Sequence, residues 1–363
     1  MSLRIINVRL FDGDGLSERS TLTASDGLIT SISSGDVPGE MCTTSVETLD
    51  ADGATLLPGL VDAHLHLSDR HDLDLLAANG ITTAFDMASW PPEFTNSLRN
   101  QSETTAILSA GVPFIGPDGP HSHFVTSDHA VVTDPKQVPS EVNRRIADGS
   151  DFIKIVLEGP GRGGPSPQVA RAVVEAAHRG GVRVVAHAAS IESFRLAVEC
   201  GADIVTHVPM DAPVDADLAR RLAQDGRITI PTLCVSETLT SAVDRPGTDY
   251  VNSRDSVVAL RAAGVPVLAG TDSVESPGAP FSIPLGTSLH RELELLVDAG
   301  WSPSEALGAA TWLPAHHFHL DDRGALTPGR RADLVLVEGD PTADIGAVRD
   351  IVDVWVGGER IVR

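Results

Sequence analysis

Between residues 57 and 319 the chain repeats one pattern: a short apolar, β-branched run, usually followed by a helix-like stretch. Eight such runs occur. They begin at GLVDAHLHL (59), GITTAFDMA (80), GVPFIGPD (111), DFIKIVLEG (151), GVRVVAHAAS (181), GADIVTHVPM (201), RITIPTLCV (227) and GVPVLAGTDS (264). Several follow an Ala-rich helical pattern through glycine, as in LRAAGVPVLAG, where Gly suits a helix C-cap. Eight strand–helix units over some 260 residues is the size of a (β/α)8 barrel. The competing arrangement is an open doubly wound sheet. It is disfavoured because no glycine-rich dinucleotide fingerprint follows the first run.

The two ends differ from the middle. Residues 1–56 offer short strands, LRIINVRL, LITSISS and the approach to ATLLPG, broken by Gly and Asp turns. Residues 320–363 return to the same style, with ADLVLVEGD and a Gly357–Gly358 hairpin turn. Neither end can build a core alone. The expected fold is therefore α/β: a TIM barrel over 57–319 and a small β-sandwich domain made from 1–56 and 320–363.

In such a barrel, chemistry gathers at the C-terminal ends of the strands. His64 and His66 end the first run, Lys154 sits in the fourth, His187 ends the fifth, His207 the sixth and Asp272 the eighth. Residues i and i+2 of a strand share a face, so His64 and His66 can grip one ion. Each residue taken alone has an ordinary structural reading: a packed histidine, or a turn-capping aspartate. Their joint placement at one rim points to a metal site. Lys154 is the odd member, since lysine is rarely buried without a partner. Its near acids are poorly placed to pair with it. Asp151 has the opposite strand parity, and Glu158 lies about 13 Å further along at strand rise.

This set, PGLVDAHLH, FIKI, VVAHA, IVTHV and AGTDS, resembles the amidohydrolase superfamily, and most nearly its imidazolonepropionase-like and prolidase-like (Xaa-Pro dipeptidase) hydrolases. The resemblance implies that His64, His66 and Asp272 hold one divalent ion and His187 and His207 a second. It implies that Lys154, carboxylated by CO2, bridges them. Imidazole and carboxylate donors suit zinc first. The implied reaction is hydrolysis of an amide, peptide-like or cyclic amide C–N bond of a small molecule by a metal-activated hydroxide. Asp272 would act as general base and then acid. A lactonase or esterase, or a cyclase, dehydratase or decarboxylase on the same ligands, remains an alternative, as does a metal-free scaffold protein.

Substrate contacts are expected from loops: His121 and His123 in PDGPHSHF, and Arg162 in EGPGRGGPS. Arg70, His71 and His290 read as surface or helix residues, and His316, His317 and His319 as an interdomain surface. The region after His187 reads HAASIESF, without the tyrosine that carboxypeptidase-like relatives often carry there; Tyr250 is the sole tyrosine of the chain. A formal net charge of −23 excludes phosphate-backbone and anionic-membrane partners. Homo-oligomerisation stays open. Cys42, Cys200 and Cys234 are too dispersed for a disulfide framework, and no signal peptide or 18-residue apolar run occurs, so a cytoplasmic enzyme is expected.

Overall fold

The computed structural model describes residues 2–35, 46–159, 161–242, 246–275, 279 and 281–361, which leaves Cys42 outside. In chain order the strands and helices are β1 (Ser2–Leu10), β2 (Ser20–Ser25), β3 (Leu28–Ser34), β4 (Val46–Asp50), β5 (Thr55–Pro58), β6 (Leu60–Leu65), α1 (His71–Ala78), β7 (Ile81–Asp86), α2 (Pro92–Ser97), β8 (Ala106–Ser109), α3 (Val138–Ala147), β9 (Ile153–Val156), α4 (Pro167–Arg179), β10 (Val184–His187), α5 (Ile191–Cys200) and β11 (Ile204–Thr206). The rest are α6 (Ala216–Gln224), β12 (Ile228–Ile230), α7 (Leu233–Ala242), α8 (Tyr250–Ala263), α9 (Thr287–Asp298), α10 (Pro303–Ala309), α11 (Trp312–His317), β13 (Leu334–Val337), β14 (Ile351–Val356) and β15 (Glu359–Arg360). The fold is mixed α/β. Among the described residues no helix is long and apolar enough to cross a membrane.

Both chain ends enter one sheet, in the order β15-β14-β13-β5-β1-β2-β3, with β4 also on β1. The join is the antiparallel pair β5–β13, where Leu56 opposes Leu336. Leu56, Leu334, Leu336 and Trp355 are buried in the core of this sheet. The Gly357–Gly358 turn between β14 and β15 has φ of 57° and 79°, values that suit glycine in a tight hairpin.

The middle strands are all parallel, in a four-stranded sheet β12-β11-β10-β9 and a three-stranded sheet β6-β7-β8. Phe114 bridges to Ile155, and Asp151 N donates to Ser109 O at 2.9 Å. On the other side Val267 bridges to Thr229 and Ser273 to Leu65. The 267–273 segment thus touches both sheets. Helices pack outside through amphipathic faces. On α4, Val169, Ala170, Val173, Val174, Ala176 and Ala177 are buried, and Ser166 caps its first turn. Gly201 and Gly264 close α5 and α8 in the left-handed conformation, as the sequence suggests.

Three strand positions differ from expectation: the eighth run, from residue 264, forms no strand, and Val267 and Ser273 make only isolated bridges. The third strand is Ala106–Ser109, ahead of the run at 111. Residues 114 and 115 make only single bridges, because Pro113 and Gly116 interrupt a longer ladder. The seventh run keeps strand only to Ile230; after Pro231 its remainder turns into α7.

Candidate metal centre

Strand parity builds the site. Phe152, Val185, Ile204, Ile228 and Leu268 pack together in one buried apolar cluster. Two residues further along three of these strands stand Lys154, His187 and Thr206, on the same face. The apolar layer therefore forms a floor, with the polar side chains at the C-terminal ends above it.

His64 Nε2 and His66 Nε2 each lie 3.1 Å from Asp272 Oδ1. His64 Nε2 is nonetheless buried without a hydrogen-bond partner. An orphaned polar atom in a dry site is costly unless something binds it. The two histidines and Asp272 bring their ligand atoms within 4.8 Å of one another, close enough to share one ion. Asp272 has φ 58°, a left-handed conformation that a short Asp tolerates, and its N–H donates to His64 O at 2.8 Å. Beside this group, His187 Nδ1 and His207 Nε2 face each other at 3.0 Å. His207 Nε2 lies 4.0 Å from Asp272 Oδ2, which links the two groups.

Hydroxyls set the imidazoles. Thr232 Oγ1 donates its single proton to Pro231 O at 2.7 Å, so at 2.5 Å it must accept from His207 Nδ1. That fixes the tautomer with the Nε2 lone pair turned into the site. Thr206 Oγ1 stands 2.7 Å from His64 Nδ1, a contact that orients the ring without fixing its tautomer.

Electrostatics favour the metal-ready forms. Burial first, then Lys154, pushes the His64 imidazolium well below its ordinary pKa. Burial, then His207, does the same to His187. His207 falls to about 4, chiefly by burial, with Asp272 opposing. Burial alone would raise Asp272, but His207 and His64 hold it well below the usual carboxylate range. Neutral imidazoles and an ionised carboxylate are the ligating states.

Lys154 is buried, and burial lowers its pKa to about 7, against the pull of Asp272 and Asp86. It has no ion-pair partner among the described residues. Asp151 instead holds Arg99 at 2.8 Å, and Glu158 holds His121 Nδ1 at 2.7 Å. A neutral buried amine facing acids and imidazoles is a nucleophile that CO2 could cap. The donor set, all imidazole nitrogen and carboxylate oxygen with this amine between, fits one or two divalent ions.

A scan against family profiles matches the amidohydrolase family over residues 55–361. The chain belongs to the amidohydrolase family. An imidazolonepropionase of Salinispora arenicola (strain CNS-205) is 27% identical, over 92% of this chain and 90% of the relative. An uncharacterized protein of Mycobacterium tuberculosis (strain ATCC 25618 / H37Rv) is 29% identical, over 86% and 87%. Among solved structures, a putative prolidase from Bifidobacterium longum superposes with a TM-score of 0.83 at 26% identity, covering 100% of this chain and 95% of that one. The expected kinship with imidazolonepropionase-like and prolidase-like hydrolases is met. As a member of this amidohydrolase family, the chain is a hydrolase of carbon–nitrogen bonds.

The loop residues divide. His121 stands at the site, its ring 4.7 Å from that of His187. His123, at the end of the same 3-10 turn, and Arg162 are exposed. Arg70 pairs with Asp74 at the surface, and His71 is exposed. His290 is buried on α9 and meets Asn79 O at 3.0 Å. His317 and His319 both contact Arg183, which precedes β10 at the end of the strand remote from His187. Sequence reading missed Thr206, Thr232 and the His121–Glu158 pair. Only the adjacency of Thr206 to His207 was a local signal.

Proposed function

We propose that this amidohydrolase cleaves an amide, peptide-like or cyclic amide bond of a small molecule, at a two-ion centre in the mouth of a (β/α)8 barrel. The barrel takes residues 57–319, and 1–56 with 320–363 form a β-sandwich beside it. Support for the barrel comes from the bridges that tie the 267–273 segment to both parallel sheets. The carrying observation for the chemistry is the convergence of His64, His66 and Asp272 on one point and of His187 and His207 on the next, with unpaired Lys154 buried between acids.

His64, His66 and Asp272 would hold one ion and His187 and His207 the other, with Lys154, once carboxylated, as a shared ligand. Two divalent ions, zinc by donor chemistry, would supply Lewis acidity and a lowered pKa for coordinated water. The chain's own part is positional. Thr206 and Thr232 aim the imidazoles. The apolar floor excludes water from below. Asp272, ionised and touching both histidine groups, takes a proton from the attacking water and delivers it to the leaving nitrogen. Similarity to proteins named imidazolonepropionase and prolidase supports a C–N substrate. Free, buried Cys200 and Cys234 support a cytoplasmic setting.

Metal analysis of the purified protein, with a panel of small amides, cyclic amides, esters and lactones, tests this reading. About two equivalents of zinc and equimolar acid and amine from an amide are expected. Acid released only from esters or lactones would refute the C–N assignment, and activity surviving full metal removal would refute the centre.

A further inference from the structure

One cluster beside the centre, His121, Glu158 and His187, also brings its ligand atoms within 4.8 Å of one another, and only His187 belongs to the ligand set read above. Glu158 follows β9, and its carboxylate turns towards the site, with a ligand atom within 4.8 Å of one on His187. Its sole side-chain partner among the described residues is His121, at 2.7 Å. The ring of His121 is in turn 5.0 Å from that of Phe124, which is 38% exposed.

This placement is built by close backbone approach. A Cβ on Gly116 would lie 1.9 Å from Gly163 O, and one on Gly163 2.2 Å from Asp118 C. Added at Gly119 or Gly164, a Cβ would crowd the Glu158 side chain at 3.1 and 2.9 Å. The loop after β9 and the loop carrying His121 interlock because these positions lack side chains. Their interlock clamps Glu158 between them.

The direct partners of Glu158 carry no permanent positive charge. No arginine or lysine is hydrogen-bonded or ion-paired to His121 or Glu158 among the described residues; Arg162 is exposed, and the charge of Lys154 acts on His187 and His207. A carboxylate with one imidazole partner, next to an open aromatic face, is a receptor for a cation: charge-assisted hydrogen bonds from the acid, quadrupole attraction from the ring. It would repel a substrate carboxylate at the same place.

We propose that Glu158, positioned with His121 and Phe124, is a recognition subsite for a cationic nitrogen group, so that the substrate is a basic amide and not a carboxylate-bearing one. This rests on the reading of the centre as an amide hydrolase and names its substrate class.

The test is calorimetric binding to the zinc-loaded protein of three matched probes: N-acetylputrescine, N-pentylacetamide and N-acetyl-5-aminopentanoate. They differ only in an ammonium, methyl or carboxylate end. The ammonium probe should bind at least tenfold more tightly than either of the others. Glu158→Gln should reduce that preference to within threefold at unchanged zinc content. Should that variant misfold, Phe124→Ala, at an exposed ring, should cut the preference at least threefold. Equal or tighter binding of the carboxylate probe, no binding of any probe, or a preference untouched by the substitutions would overturn the proposal. Preferential binding without acetate release from any amide would count against the hydrolytic reading and leave the subsite standing.

Discussion

Replacing Lys154 by Met separates the cost of the buried lysine from its use. Lys154 has a native pKa of about 7 against an ordinary 10.5, and burial is the main cause. Between those values the unfolded chain carries a proton that the native chain lacks. Stability of the metal-free protein therefore rises with pH across that window, by about 1.4 kcal/mol per unit. Below pH 7 both states hold the proton and the whole penalty remains, about 5 kcal/mol. Methionine fills similar space without charge. In chelator and CO2-free buffer, the Lys154→Met protein should be more stable than wild type at pH 6, and the gap should close by about 3 kcal/mol by pH 9. Urea unfolding of both proteins at pH 6, 7.5 and 9 measures it. With zinc and bicarbonate the order should reverse, because ion binding to the native state would stabilise the wild type, which alone can supply the proposed Lys154 bridge, more than the variant. A gap independent of pH, or a wild type already more stable at pH 6 without metal, would refute the reasoning.

Two further perturbations probe what supports the ligands. Thr232→Val removes the acceptor for His207 Nδ1 and frees the ring to choose the wrong tautomer; zinc affinity by chelator competition should fall about 10- to 100-fold, and unchanged affinity would dismiss the hydroxyl. Glu292 is buried and accepts from Leu233 N and Cys234 N at 2.9 and 2.8 Å, capping α7 directly after Thr232. Burial raises its pKa to about 8 from an ordinary 4.5. The native state then holds the extra proton, so its stabilising effect is full below pH 4.5 and is lost as pH rises through 8. Glu292→Gln should lose about 1–3 kcal/mol from an imperfect cap. That deficit, read at pH 5, should shrink and change sign relative to metal-free wild type by pH 8, since three units of linkage are worth about 4 kcal/mol; a deficit constant with pH would show that Glu292 does not titrate there.

The candidate ligands on strands come together because each is placed by a rule acting over a few residues. Parity puts Lys154 above Phe152 and His187 above Val185, whatever the rest of the chain does. Where a rule of equal range failed, chain-breaking residues were responsible: Pro113 and Gly116 shift the third strand to Ala106–Ser109, and Pro231 ends the seventh. The two near acids that strand geometry set aside as partners of Lys154 are held by contacts from elsewhere, Arg99 for Asp151 and His121 for Glu158. No local period announces these. His121 and Glu158 are separated by 37 residues and meet only because glycines let two loops cross. Glu292 reaches Leu233 across 59 residues. The same division runs through the chemistry. A metal centre needs donors at strand ends, which local periodicity supplies. Selectivity for one substrate over another is decided by side chains on interlocking loops, whose partners the sequence does not order. A chain of this family can thus declare its reaction class in its strands and keep its substrate in the contacts between its loops. That is why Glu158, and not any ligand histidine, is the residue whose replacement should change what this enzyme prefers.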